Sequence, residues 1–231
     1  MTEIQINICS ETAQVTRALQ LKQVAPKPTR VWLFDSPTLD LHRAGLRLRL
    51  RDDGKHIEMT LKVAGQNCAK IDPALLKPRG KCEADLHGDS FDDVVSITHQ
   101  LDPGATAALL APEAERGAPL TAALALALDA NQRAFLAAHR PAAWGDAPLP
   151  TGIARLGPSA VRAFRSSAVP FVVEVWTLPG GQQSVELSEK IRREAALARR
   201  AVIEKQISSA GVVICADQGS QAENKLKTLT R

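Results

Sequence analysis

The densest pattern in the chain runs from Val31 to Lys62, VWLFDSPTLDLHRAGLRLRLRDDGKHIEMTLK. From Leu46 to Arg51 apolar and basic residues alternate strictly, so an extended strand sets Arg47, Arg49 and Arg51 on one face and Leu46, Leu48 and Leu50 on the other. The following Asp52-Asp53-Gly54-Lys55 is a short polar loop whose glycine is free to take positive φ, which predicts a hairpin. The returning strand alternates too, with His56, Glu58, Thr60 and Lys62 facing one way and Ile57, Met59 and Leu61 the other. A ribbon with one wet and one dry face satisfies this pattern. So does a charged face turned into a barrel around a polyanion. Crowded guanidinium groups repel unless an anion or carboxylates lie among them, and the forked donors of arginine suit phosphate.

The same period recurs along the chain. Thr2 to Ile8 sets Glu3, Gln5 and Asn7 against Ile4, Ile6 and Ile8. Thr29 to Asp35 reads as a strand, as does Lys81 to Leu86, where Lys81, Glu83 and Asp85 share a face. Ala154 to Ser167, with Arg155, Arg162 and Arg165, predicts a strand or a pair of strands. Phe171 to Trp176 is a dense strand with Glu174 its only charge, and after Pro179-Gly180-Gly181 a final strand puts Ser184, Glu186, Ser188 and Lys190 together. Helical spacing is read over Glu11 to Val24 with Ser10 as N-cap, and over Ser90 to Leu101, Leu120 to His139 and Arg192 to Ala210. In the last of these, Leu197 and Val202 are read as apolar-face residues and Arg200 as solvated. The count is enough for an antiparallel barrel of about eight strands. Helices rich in alanine and leucine would cover its outside, which turns the charged faces inward. The expected class is α+β, one domain over residues 1–231 with a helical insert at about 90–150.

Composition narrows the partners. A net charge of +4 permits nucleic-acid binding, but aromatic residues are only 3% and tyrosine is absent, which removes the stacking surface that single-strand binders use. A compact anion is the better match, and no nucleic-acid partner is expected. Cys9, Cys68, Cys82 and Cys215 form no CxxC pair and have no histidine at ligand spacing, so they read as reduced thiols. No apolar run is long enough to span a bilayer, and MTEIQINICSE has neither a basic start nor a hydrophobic core, so the expectation is a cytoplasmic protein without a membrane partner. There is no glycine-rich phosphate loop and no Ser-His-Asp set.

The run FDSPTLDLHRAGLRLRLR, with MTLK after it and a strand at the N-terminus before it, resembles the CYTH domain of the triphosphate tunnel metalloenzymes. That family includes inorganic triphosphatases, thiamine triphosphatases and class IV adenylate cyclases. The resemblance implies a tunnel in which Arg47, Arg49, Arg51, Lys62, Lys81, Arg162, Arg165 and Lys190 bind a triphosphate or similar polyphosphate anion. It further implies that Glu3, Glu58, Glu83, Asp85, Glu174 and Glu186 hold Mg²⁺ or Mn²⁺, with Glu3, Arg49 and Lys62 closest to the chemistry. Family strands open with ExExK. Here only Glu3 follows that pattern, since Gln5 replaces the second carboxylate and Asn7 the lysine. An amide brings no charge to a hard cation, so two activities stay open: a metal-dependent triphosphate hydrolase, and a binding module for polyphosphate or nucleotide without turnover. A class IV cyclase would need a base-recognition element that no motif marks. The tail DQGSQAENKL resembles family C-termini, with Gln221 where a lysine is common.

Overall fold

The computed structural model describes residues 1–77, 79–219 and 221–230; the side chains of Gln221 and Ala222 lie outside the described set. In chain order the elements are β1 (Thr2–Ile8), α1 (Thr12–Ala18), β2 (Lys22–Gln23), β3 (Thr29–Asp35), α2 (Asp40–Arg43), β4 (Leu46–Asp52) and β5 (Ile57–Val63). Then come β6 (Gly80–His87), β7 (Ser90–Gln100), α3 (Pro103–Leu110), α4 (Gly117–Ala127), α5 (Ala130–His139), β8 (Ala154–Arg165), β9 (Val172–Thr177), β10 (Gln183–Ile191), α6 (Ala196–Ser209) and α7 (Gln221–Leu229). Strands pair in the order β8-β3-β4-β5-β7-β6-β1-β10-β9, β9 pairs back to β8, and the short β2 adds to β8. The ring is a closed β-barrel of nine strands with mixed pairing, because β1 runs parallel to β6. This corrects the expected eight antiparallel strands.

The additional strand is β7, in the stretch read as helical. Phe91, Val94, Val95, Thr98 and Leu101 do fall at helical spacing. Val94 to Ile97, however, is buried without a break because both faces of β7 are covered there, and such strands lose the alternation that identifies them. The turn at Gly54 forms as expected. Its φ is +85°, Asp52 Oδ1 accepts the Gly54 N–H at 2.7 Å, and Asp53 Oδ1 accepts the N–H groups of Lys55 and His56 at 2.8 Å each.

The residues group into two compact units. The first comprises Met1–Thr29, Glu83–Asp93 and Ser159–Ala222; the second comprises Arg30–Cys82, Val94–Pro158 and Glu223–Arg231. In the second, the apolar faces of β4 and β5 (Leu46, Leu48, Leu50, Met59, Leu61) pack with Leu109, Leu120, Leu124, Phe135 and Leu136 of the helices. The helices between β7 and β8 thus supply a large share of this core. In the first, Ile4, Ile6, Val173, Val175, Val185 and Leu187 pack with Ile203 and Ile207 of α6. The face of α6 differs from the one expected. Leu197 and Val202 are 48% and 54% exposed, whereas Arg200 is 5% exposed and donates to the Gln5 carbonyl at 2.9 Å, with Glu204 at 2.7 Å. Its aliphatic stem packs while its guanidinium is satisfied. Helices cover the apolar face of the strands in both units, which is the outside of the barrel.

The cysteines also differ from expectation. Cys9 bonds to Cys215 and Cys68 to Cys82, leaving no free thiol among the described residues. Spacing alone cannot reveal a partner 206 residues away. No described helix is long and apolar enough to cross a membrane.

Candidate functional site

The polar face of β4 and β5 belongs to the second unit and is set by register. Arg47 lies opposite Lys62, Arg49 opposite Thr60, and Arg51 opposite Glu58. On β7 the rows continue with Ser96 beside Lys62, Thr98 beside Thr60, and Gln100 beside Glu58. Three cross-strand rows thus present four cations among hydroxyl and amide groups, and the Thr60 and Thr98 hydroxyls are 3.0 Å apart. All three arginines are half-buried, since their alternate leucines are fixed in the core. Glu58 is no spare carboxylate: Arg79 approaches it at 3.7 Å. Ser96, Thr98 and Gln100 are not legible as site residues in the sequence, because the apolar residues of β7 fall at helical spacing.

Entry of the chain into this face is held by Asp35. Its carboxylate is buried and accepts the N–H groups of Ser36 (2.8 Å), Leu41 (2.9 Å) and His42 (3.0 Å). Burial raises its pKa above the ordinary carboxylate value, and the three N–H donors oppose that rise. Next to it, Asp40 accepts from the hydroxyls of Ser36 (2.7 Å) and Thr38 (2.8 Å), and the Ser36 hydrogen bond is the main reason its pKa is lowered. The SPTLD run is therefore a rigid corner that starts β4 in the register placing its arginines on one face.

The polar face of the first unit is acidic. Glu3 lies opposite Lys190 on β10 and beside Asp85 on β6. Further along β1, Asn7 lies opposite Glu186, which lies opposite Glu174. Like charges directly opposite one another on neighbouring strands repel, and a cation between them removes the cost. Glu83 and Lys190 are joined to each other, with Nζ at 2.8 and 3.1 Å from the two carboxylate oxygens. Arg165 lies on the face of β8 that carries Ala163 opposite Glu174, while Arg162 lies on the other face with Phe164, opposite Val175. Lys81 is exposed on β6. Asn7, expected at the position of a phosphate lysine, is turned elsewhere: its Nδ2 donates to the carbonyls of Asp217 (3.1 Å) and Gly219 (3.0 Å).

Whether a hard cation suits this face can be judged from its donors. Asp85 is 3% exposed, and its Oδ2 accepts no hydrogen bond from the described residues. With Glu3 alongside in register, that gives a carboxylate pair in which one oxygen is buried without a hydrogen bond from the described residues. No group of three or more His, Cys, Asp or Glu residues comes together among the described residues. The donor set therefore fits a cation that uses one or two carboxylates and keeps water or phosphate for the rest of its shell, as Mg²⁺ does.

The fold is shared with solved structures, among them three that cover nearly the whole chain. A candidate adenylyl cyclase from Hippeastrum, HpAC1, described as having a dominant triphosphatase activity, matches with a TM-score of 0.55 and 17% identity over 96% of this chain and 92% of its own. A candidate adenylate cyclase from Bacillus halodurans matches with a TM-score of 0.52 and 11% identity over 96% of each chain. The PH1819 protein from Pyrococcus horikoshii matches with a TM-score of 0.50 and 10% identity over 99% of each. At these identities the likeness is one of fold. No family model and no curated protein matches the sequence.

Proposed function

We propose that the chain is a triphosphate-binding protein of the tunnel type and a metal-dependent hydrolase of inorganic or organic triphosphate. The observation that carries the reading is the placement of Arg47, Arg49, Arg51 and Lys62 on one half-buried polar face, in register with the hydroxyls of Thr60, Thr98 and Ser96. A linear polyanion matches such rows, because planar guanidinium groups take phosphate oxygens two at a time and the hydroxyls fill the gaps between charges. Arg49, in the central row, binds the middle of the chain, and Arg47 with Lys62 binds one end. Their positive charge stabilises the negative charge that develops on the leaving phosphate. In the first unit, Glu3 with Asp85 and Glu174 with Glu186 would hold Mg²⁺ or Mn²⁺. Such an ion supplies charge neutralisation on phosphate and a more acidic bound water. The Hippeastrum protein of the same fold, described as a triphosphatase, is consistent with this substrate class.

A second reading, binding without turnover, is favoured by one observation: Asn7 takes the place of a lysine, and its amide is spent on the carbonyls of Asp217 and Gly219. Phosphate release from tripolyphosphate with Mg²⁺ or Mn²⁺, run beside calorimetric binding, separates the two. The hydrolase reading expects metal-dependent release that falls at least about 100-fold in Arg49→Ala, the scale for losing one preorganised charge donor. Tight binding with no release, also lost in Arg49→Ala, would leave the receptor reading. Neither binding nor release would sink both.

A further inference from the structure

We infer that Cys9–Cys215 is a redox-active cystine that latches residues 212–219 onto the end of β1 and thereby controls the Asn7–Glu186–Glu174 row. The inference rests, for its effect on ligand binding, on the triphosphate reading above.

The strap is built on one residue after another of β1 and the turn that follows. The Cys9 N–H donates to the Val213 carbonyl (2.9 Å), the Cys215 N–H to the Asn7 carbonyl (2.9 Å), and the Val213 N–H to Ser10 Oγ (2.8 Å). Ile8 and Ile214 form an antiparallel bridge. Gln218 is woven in on both sides. Its Nε2 donates to the carbonyls of Asn7 (3.0 Å) and Cys215 (2.7 Å), and its Oε1 accepts the Asn7 N–H (3.0 Å) and the Arg200 guanidinium (3.2 Å). These contacts hold the Asn7 side chain against the strap instead of leaving it in the row it shares with Glu186 and Glu174. The disulfide is the covalent member of the set. Because it closes a loop of 206 residues, it removes more freedom from the open form than any local contact does.

The bond is also within reach. Cys9 is exposed, and both sulfur-bearing residues line a groove of about 840 Å³ together with Ile8, Ser10, Gln183 and Ser184. Thiol–disulfide exchange needs that access, since the attacking thiolate must approach along the S–S axis. A dithiol serves as the reductant. Its first thiolate attacks one sulfur, forming a mixed disulfide and releasing the other cysteine. Its second thiol then displaces the first bond. The dithiol ends as its own disulfide, having given up two electrons and two protons, and Cys9 and Cys215 end as thiols. The strap is then held by hydrogen bonds alone, and each time it opens the Asn7 amide loses its carbonyl partners and can turn into its row.

The test uses the full chain and a second protein carrying Cys68→Ala with Cys82→Ala, which leaves one disulfide. Hydrogen exchange and tripolyphosphate affinity are followed with and without dithiothreitol. The expected result is exchange at least 10-fold faster over residues 212–219 on reduction, with α6 unchanged, together with an altered tripolyphosphate dissociation constant. A Cys9→Ser variant should show the reduced behaviour in either condition. Unchanged exchange in the strap overturns the latch. Faster exchange with an unchanged dissociation constant overturns control of the row. If tripolyphosphate binds in neither state, the triphosphate reading fails, while the exchange result still decides the latch.

Discussion

Gln132 shows how much one polar side chain can fix. It is fully buried, and its Nε2 donates to the carbonyls of Met59 (3.1 Å) and Ile97 (2.9 Å), one on β5 and one on β7. Its Oε1 accepts the Asp129 N–H (3.3 Å) and its own N–H donates to Asp129 Oδ1 (2.7 Å), closing a capping box at the start of α5. A single amide therefore starts a helix and docks it on the sheet whose other face carries the arginines. Replacing it with alanine leaves two buried carbonyls short of a donor and opens a cavity. Gln132→Ala should cost about 1 to 3 kcal/mol in urea-induced unfolding. The variant should keep its tripolyphosphate affinity if the folded fraction is accounted for, because no part of Gln132 reaches the polar face. A cost below a few tenths of a kcal/mol would show that water satisfies these carbonyls equally well.

At the scale of elements, the corner between β3 and β4 has two carboxylates with opposite responses to acid. Asp40 has its pKa lowered from the ordinary 3.8, chiefly by the Ser36 hydroxyl, so its stabilising contribution is complete above 3.8 and is lost as pH falls through the lowered folded value. Asp35 has its pKa raised by burial, so its folded form holds a proton more firmly and its contribution grows as pH falls from the raised value toward 3.8. The stability gap between the native sequence and Asp40→Asn should be constant above about pH 5 and close toward zero in stronger acid. A gap that persists unchanged through the acid limb would mean the Ser36 and Thr38 contacts do not favour the ionised form. The sequence made this region readable because one face of each strand is buried, so alternation survives in Leu46 to Arg51 and in Ile57 to Lys62. It concealed β7, buried at four successive residues, and the face of α6, where Arg200 takes an interior place that charge alone would assign to Leu197. It also concealed the strap at residues 212–219, because what binds Asn7 there is mostly backbone carbonyl, which every residue carries.

For the molecule as a whole, the excess positive charge of +4 and the concentration of basic groups on one polar face set up a test that needs no turnover. A ligand that binds only the native state stabilises it in proportion to the logarithm of its concentration, by about 2.7 kcal/mol at 100 times the dissociation constant. For a chain of 231 residues, that is a rise in melting temperature of about 5 to 10 °C. Tripolyphosphate should produce this rise, orthophosphate at the same concentration much less, because only the longer anion engages several cross-strand rows at once. The rise should shrink as salt is raised toward 1 M, where the screening length falls to about 3 Å. Measured against its own ligand-free melting temperature, Arg49→Ala should gain little from tripolyphosphate. An equal gain in the variant would place the anion elsewhere on the surface. The absence of a gain in the native protein, with Mg²⁺ or Mn²⁺ supplied, would mean the arginine face serves a different anion or none. The melting test thus reads the binding half of the proposal separately from its chemistry, which phosphate release alone cannot do.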